Sequence, residues 1–92
     1  MSTRFRRNPA VEAAPMQHET ILYNPGVKKF CLLNATAAFL WEQLAQPATS
    51  EQLSDAICAH FQGVDRAGAE RDVRKALEEF QSLAIVEVEA QQ

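Results

Sequence analysis

The sequence predicts an α+β fold in which a small antiparallel sheet precedes three helices. The main observation is the stretch from Phe30 to Leu44, where a strand-like apolar run passes through Asn34 directly into a helix-periodic one. Before it lie short β-type segments interrupted by Pro and Gly, and after it helical patterns run almost to the end of the chain. With 92 residues, the chain has room for one domain with one core.

The first residues show no periodicity. We therefore expect a flexible segment over residues 1–9 and a folded domain over residues 10–89. Three of the nine basic residues are Arg4, Arg6 and Arg7, so residues 8–92 contain six basic and twelve acidic residues. An acidic body is unfavourable for a nucleic-acid-binding protein, whose affinity depends on clustered Lys and Arg.

Three strands are expected in the first third of the chain. Val11 to Met16 is a weak candidate, and Thr20 to Tyr23 is a stronger one because it is rich in β-forming residues. The turn residues Asn24-Pro25-Gly26 follow, and Val27 to Leu33 then returns as the second arm of a hairpin. In this arm Cys31 and Leu33 face one side, and Phe30 and Leu32 the other, so both faces are apolar.

The first helix begins after Asn34, a good N-cap residue, and is expected to run to about Gln46, before Pro47. Its apolar stripe consists of Ala37, Leu40, Trp41 and Leu44. The position of Trp41 in this stripe predicts a structural role in the core.

Two more helices follow. Thr49 and Gln52 have the spacing of a capping box, which predicts a helix to about Phe61 with a stop at Gly63. Asp65 can cap the longest helix, whose apolar stripe is Ala69, Val73, Ala76, Leu77, Phe80 and Leu83. On its polar face we expect the i, i+4 ion pairs Glu70–Arg74, Arg74–Glu78 and Lys75–Glu79. Ile85 to Val88 can form a short terminal strand, and Gln91 and Gln92 should fray.

Catalytic and metal-binding patterns are missing. The chain has no glycine-rich phosphate loop, no H-E-x-x-H and no nucleophile elbow, so we expect no enzymatic activity and no cofactor. Cys31 and Cys58 lack a C-x-x-C spacing and are expected to be reduced and buried, and neither they nor His18 and His60 form a pattern typical of zinc sites. No apolar run approaches the roughly 20 residues that span a bilayer, which favours a cytoplasmic protein.

The order of these elements resembles the PqqD family, named for the pyrroloquinoline quinone biosynthesis protein D. The resemblance covers about residues 8–88 and rests on the three strands, the Leu33-Asn34 junction, a first helix with Leu40-Trp41, and a long third helix with Asp72-Val73, Leu77 and Leu83. Two positions depart from the family pattern: Ala45-Gln46-Pro47 replaces an Asp-Gly turn, and Ala84-Ile85 replaces a Gly-Leu ending. The expectation is therefore the wider class of peptide-recognition elements, without assignment to the quinone pathway.

The resemblance implies a winged helix-turn-helix-like fold that binds the leader of a ribosomally made precursor peptide. The leader adds a strand to the third strand, beside the third helix, while a maturation enzyme, often a radical-SAM protein, modifies the core peptide. Carried over to this sequence, strand three is Lys28 to Leu33, and the groove wall is the exposed side of Asp72 to Phe80. The peptide-binding residues are Lys28, Lys29, Phe30, Cys31, Leu32, Leu33, Arg71, Arg74, Lys75 and Glu78. Their basic members predict an acidic leader.

Two other functions share these features. A winged helix-turn-helix DNA-binding regulator would read DNA with helix three and use Leu83 to Val88 as its wing, but Asp72, Glu78 and Glu79 on that helix argue against it. A dimerisation module is the other alternative, because a free strand edge can pair with a second copy as well as with a peptide.

Overall fold

The computed structural model describes residues 3–15 and 19–90, with six strands and three helices in this part of the chain. Met16 and His18, which the sequence predictions mention, lie outside the described residues, as do Gln91 and Gln92. The elements are β1 (Thr3–Arg7), β2 (Glu12–Pro15), β3 (Thr20–Asn24), β4 (Lys29–Leu33), α1 (Ala35–Gln43), β5 (Ala48–Thr49), α2 (Ser50–His60), α3 (Arg66–Ser82) and β6 (Val86–Ala90).

The predicted α+β fold is confirmed. Strands β2, β3 and β4 form a three-stranded antiparallel sheet in that order, and three helices follow it along the chain. With β2-β3-β4 taken as the second sheet, the first sheet is also three-stranded and antiparallel, has the order β5-β1-β6 and was not predicted as a sheet. Only its last strand, β6, corresponds to a predicted element.

The prediction of a flexible segment over residues 1–9 is wrong for residues 3–7, which form β1, the central strand of the first sheet. Two ion pairs across the β1–β6 ladder help to hold it: Arg4 to Glu89 at 2.5 Å and Arg6 to Glu87 at 3.2 Å. An arginine-rich stretch looks unstructured in a local window because its partners lie about eighty residues away in sequence.

The β3–β4 turn differs in one detail from the prediction. Lys28 belongs to the turn and not to the strand. Its φ angle of 55° is left-handed, a conformation that glycine adopts most easily and that would be expected at Gly26. Gly26 instead donates its backbone N–H to the side-chain oxygen of Asn24 at 2.9 Å. The predicted strand from Lys28 therefore begins one residue later, at Lys29.

All three predicted helix caps are present. Asn34 accepts the N–H of Ala37, Thr49 and Gln52 form a complete capping box, and Asp65 accepts the N–H of Gly68 at 2.7 Å. The first helix is shorter than predicted and ends at Gln43 instead of about Gln46. The chain must extend by Ala48, which pairs with Phe5 in the first sheet, so this tertiary contact overrides helix propagation.

The core lies between the helices and the two sheets. Its largest fully buried side chains are Phe80, Leu22, Leu40, Leu44, Leu53, Ile57, Ile85 and Val73. Trp41 is buried, as predicted, and the guanidinium of Arg7 lies 4.3 Å from its ring centroid while donating hydrogen bonds to its carbonyl oxygen. Trp41 thus connects α1 to the first sheet through β1.

The ion pairs on α3 differ from those predicted. None of the three predicted i, i+4 pairs comes within 4.0 Å in the described chain; instead, Arg66 pairs with Glu70 at 3.2 Å and with Asp55 of α2. Arg66, in the first turn of α3, thus connects α3 to α2 through Asp55. After α3, Ala84 adopts the left-handed conformation, with φ of 55°.

Candidate functional site

Strand β4 is the edge of the second sheet with the least protection against pairing. The other edge of that sheet, β2, begins with Glu12 and ends with Pro15, and β6 contains two glutamates, all features that discourage further strand addition. After Lys29, β4 reads Phe-Cys-Leu-Leu with no charge and no proline. Alternate residues of such an edge strand direct their N–H and C=O groups away from the sheet, where a further strand can pair with them.

The predicted alternation of the β4 side chains is confirmed. Cys31 and Leu33 are buried in the core, whereas Phe30 and Leu32 are 70% and 58% exposed on the outer face. Phe30 lies opposite Tyr23 of β3, with ring centroids 4.6 Å apart. This outer face is therefore an apolar surface that continues to the open edge.

A groove runs along α3 at the end of β4 and the start of α1. It has a volume of about 180 Å³ and is lined by Asn34, Thr36, Ala37, Asp72, Lys75, Ala76, Glu79 and Phe80. Its α3 wall combines small and charged side chains. The groove therefore adjoins the carboxyl end of β4, and its volume is sufficient for one side chain of an added strand.

Cys31 joins β4 to the α3 wall. Its thiol donates to a carboxylate oxygen of Glu79 at 3.5 Å. Burial raises the pKa of Cys31 to about 11, and the hydrogen bond and charge of Glu79 act in the same direction. The thiol is therefore protonated at neutral pH, and it acts as a neutral hydrogen-bond donor between strand and helix.

The structure brings only some of the predicted site residues together. Lys28 and Lys29 are exposed at the hairpin end of β4, and Lys75 lines the groove. Lys75 shares the groove with two carboxylates, Asp72 and Glu79. Three lysines and two carboxylates thus surround β4 and its groove.

Arg71, Arg74 and Glu78 lie elsewhere. They line a separate depression of about 740 Å³ on another side of α3, together with residues of α2 and Phe5 of β1. The sequence prediction included the two arginines because basic residues can attract an acidic leader. Residues 71, 74 and 78 fall on a different face of a helix from residues 72, 75 and 79.

The predicted groove wall, the exposed side of residues 72–80, spans the α3 residues of this groove, but the peptide-binding residues named from the sequence omit several groove residues. On α3 these are Asp72, Ala76 and Glu79, and on α1 they are Thr36 and Ala37. The spacing of residues 72, 75, 76 and 79 is that of one helix face, so helical periodicity starting from Lys75 was the signal that could have found the α3 members.

Other kinds of site find little support among the described residues. In residues 3–15 and 19–90, no group of three or more His, Cys, Asp or Glu side chains is arranged to hold a metal ion. None of the helices in this part of the chain is long and apolar enough to cross a membrane.

The chain is similar to known peptide-binding proteins in fold. It resembles TbiB1 in complex with the TbiA(beta) leader peptide, with a TM-score of 0.81 and 29% identity over 94% of this chain and 99% of that chain. It also shares the fold of lasso peptide synthetase B1 complexed with the leader peptide, with a TM-score of 0.74 and 20% identity over 90% of this chain and 96% of that chain. No curated protein matches the sequence. The family model described as Coenzyme PQQ synthesis protein D (PqqD) matches residues 19–86, and the chain therefore belongs to the PqqD family.

Proposed function

We propose that this protein is a non-catalytic recognition element that binds the leader of a ribosomally synthesised precursor peptide by adding it as a strand to β4. The observation that carries the proposal is the unprotected β4 edge, with Phe30 and Leu32 exposed on one side of it and the α3 groove on the other. Leader-peptide complexes of two proteins with the same fold support this role.

Strand addition matches the chemistry of this edge. The free N–H and C=O groups of β4 supply affinity without regard to sequence, and the side chains on either side of the new strand supply selectivity. Leader residues on one face would contact Phe30 and Leu32, and those on the other would enter the groove beside Lys75 and Ala76. An apolar residue at alternate leader positions is therefore expected.

The bound leader would leave the core peptide free for a maturation enzyme. The family resemblance makes a radical-SAM protein one such enzyme. The same edge could instead pair with a second copy of the chain. Leader binding and such a dimer would exclude each other, because both use β4.

Titration of ¹⁵N-labelled protein tests the proposal with two peptides. These are the leader of a short precursor encoded beside the protein's own gene, and the TbiA(beta) leader. We expect amide shifts over Lys29–Leu33 and along the groove side of α3, around Lys75 and Glu79. A scrambled peptide is the control. Shifts confined to the depression lined by Arg71 and Arg74, or no binding of either peptide, would contradict the proposal.

An N-methyl scan of the tighter-binding peptide tests strand addition itself. Methylation removes one backbone donor at a time and leaves the protein unchanged, so protein folding cannot confuse the result. Affinity should fall at every second leader position within the paired segment. A loss without this period of two would exclude a β ladder. Analytical ultracentrifugation with and without peptide then shows whether a dimer competes for β4.

A further inference from the structure

We propose that Asn24 is a positioning residue for peptide binding, because it ties the β3–β4 hairpin to the carboxyl end of α3 and so sets the spacing between β4 and the α3 wall. This inference rests on the proposed function. Asn24 does not line the groove, but it sets the width of the groove.

Asn24 is a buried polar residue whose side chain makes three hydrogen bonds. It is the last residue of β3, is 2% exposed, and pairs across the ladder with Lys29, the first residue of β4. Its side-chain nitrogen donates to the carbonyl oxygens of Leu83 and Ala84, each at 3.0 Å, and its side-chain oxygen accepts the N–H of Gly26. One carboxamide therefore links the hairpin turn to the turn that follows α3.

Few other polar contacts hold the β3–β4 hairpin against α3. Within the described residues, the remaining hydrogen bond from this hairpin to α3 or its following turn is the 3.5 Å contact from Cys31 to Glu79, which is long and involves a weak thiol donor. Removal of the Asn24 amide would take this donor from the carbonyl oxygen of Leu83 and would leave that of Ala84 with Asn8 alone. The hairpin end of β4 would then be free to move relative to α3.

The chain offers a matched control at the same turn. The side-chain nitrogen of Asn8 donates to the same carbonyl oxygen of Ala84, at 2.8 Å, but Asn8 lies after β1 and contributes nothing to the hairpin. Asn8→Ala therefore removes a comparable hydrogen bond to the turn after α3. If Asn24 only stabilised this turn, the groove measurements of both variants would follow the stability that each variant loses.

The first arm of the test requires no peptide. In a Cys58→Ser background, Cys31 is the remaining cysteine, and its reaction rate with iodoacetamide reports how often strand and helix separate. We expect Asn24→Ala to raise this rate about tenfold, and Asn8→Ala to leave it within about twofold, under conditions where each variant stays folded. Equal rates in the two variants would overturn the proposal.

The second arm measures affinity for whichever of the two leader peptides binds more tightly. Asn24→Ala should weaken binding about tenfold, whereas Asn8→Ala should change it by less than about twofold. Unchanged affinity in Asn24→Ala would overturn the inference while leaving the proposed function intact. If the unaltered protein binds neither peptide, the proposed function fails, and the labelling rates still decide whether Asn24 sets the groove.

A second substitution covers the case in which Asn24→Ala does not fold. Asn24→Ser keeps a hydroxyl that can accept the N–H of Gly26, but its shorter side chain does not reach the carbonyls of Leu83 and Ala84. It should show the same faster labelling and weaker binding. Wild-type values for Asn24→Ser in both measurements would overturn the proposal.

Discussion

The two three-stranded sheets differ in the residues that they expose on their outer faces and edge strands. In the sheet β5-β1-β6, arginines of β1 meet glutamates of β6 across the ladder, and the edge strands are either two residues long or acidic. In the sheet β2-β3-β4, the outer face carries Phe30 and Leu32, and the edge strand β4 has no charge after Lys29. The first sheet completes its contacts within the chain, and the second leaves them open.

This difference separates two kinds of residue. Substitutions at the first sheet and beneath it should reduce stability and leave the peptide affinity of the folded protein unchanged. Substitutions on the outer face of the second sheet should weaken peptide binding and leave the stability nearly unchanged, because exposed side chains contribute little to folding. Measurements of stability and peptide affinity on variants of both sheets test this separation.

The largest effect is expected at Trp41, which connects α1 to the first sheet through Arg7. Trp41→Ala should reduce the free energy of unfolding by about 3–5 kcal/mol, since it opens a cavity in the core of a small domain. Urea denaturation followed by circular dichroism measures the loss. A variant as stable as the wild type would mean that the first sheet does not depend on this contact.

On the second sheet, Phe30→Ala and Leu32→Ala should each weaken leader binding about tenfold, as expected for exposed apolar anchors of an interface. Their melting temperatures should remain close to that of the wild type, because both side chains are mainly exposed. Calorimetric titration and thermal denaturation measure the two quantities on the same samples.

Val88 is the matched control for these variants. It is an apolar residue, 52% exposed, on β6 of the first sheet. Val88→Ala should leave leader affinity unchanged. If it weakens binding as much as Phe30→Ala, the first sheet also takes part in recognition, and the contrast between the two sheets is lost.

Local sequence patterns were sufficient for the second sheet and for the three helix starts. The period of two in residues 30–33 predicted which side chains share a face, and Asn34, Thr49 and Asp65 predicted the caps because capping depends on residues three positions apart. The first sheet could not be predicted in this way. Its central strand pairs with segments more than forty residues away, and β5 consists of two residues.

The groove was predicted only in part for a related reason. Its β4 side follows from strand alternation, but the choice of α3 residues by charge ignored the phase of the helix and included Arg71 and Arg74, which line a different depression. The contact that ties the hairpin to the end of α3 joins residues about sixty positions apart, at Asn24 and Ala84. No local pattern predicts such a contact.

The smallest effect we predict concerns charge, and it compares the two sides of α3. Lys75 lines the groove, whereas Arg71 lines the separate depression, although both are exposed basic residues four positions apart. For an acidic leader, Lys75→Glu should weaken binding about threefold and reduce the salt dependence of the association rate, because the lysine steers the peptide towards β4.

Arg71→Glu makes the same charge change on the other side of the helix and should leave affinity unchanged. Both variants should keep the wild-type melting temperature, since isolated surface charges contribute only about 0–1 kcal/mol to stability. An equal loss of affinity in both would mean that the leader extends over the depression as well. If neither variant changes the affinity or its salt dependence, recognition depends on the β4 backbone and on Phe30 and Leu32, without a contribution from charge on α3.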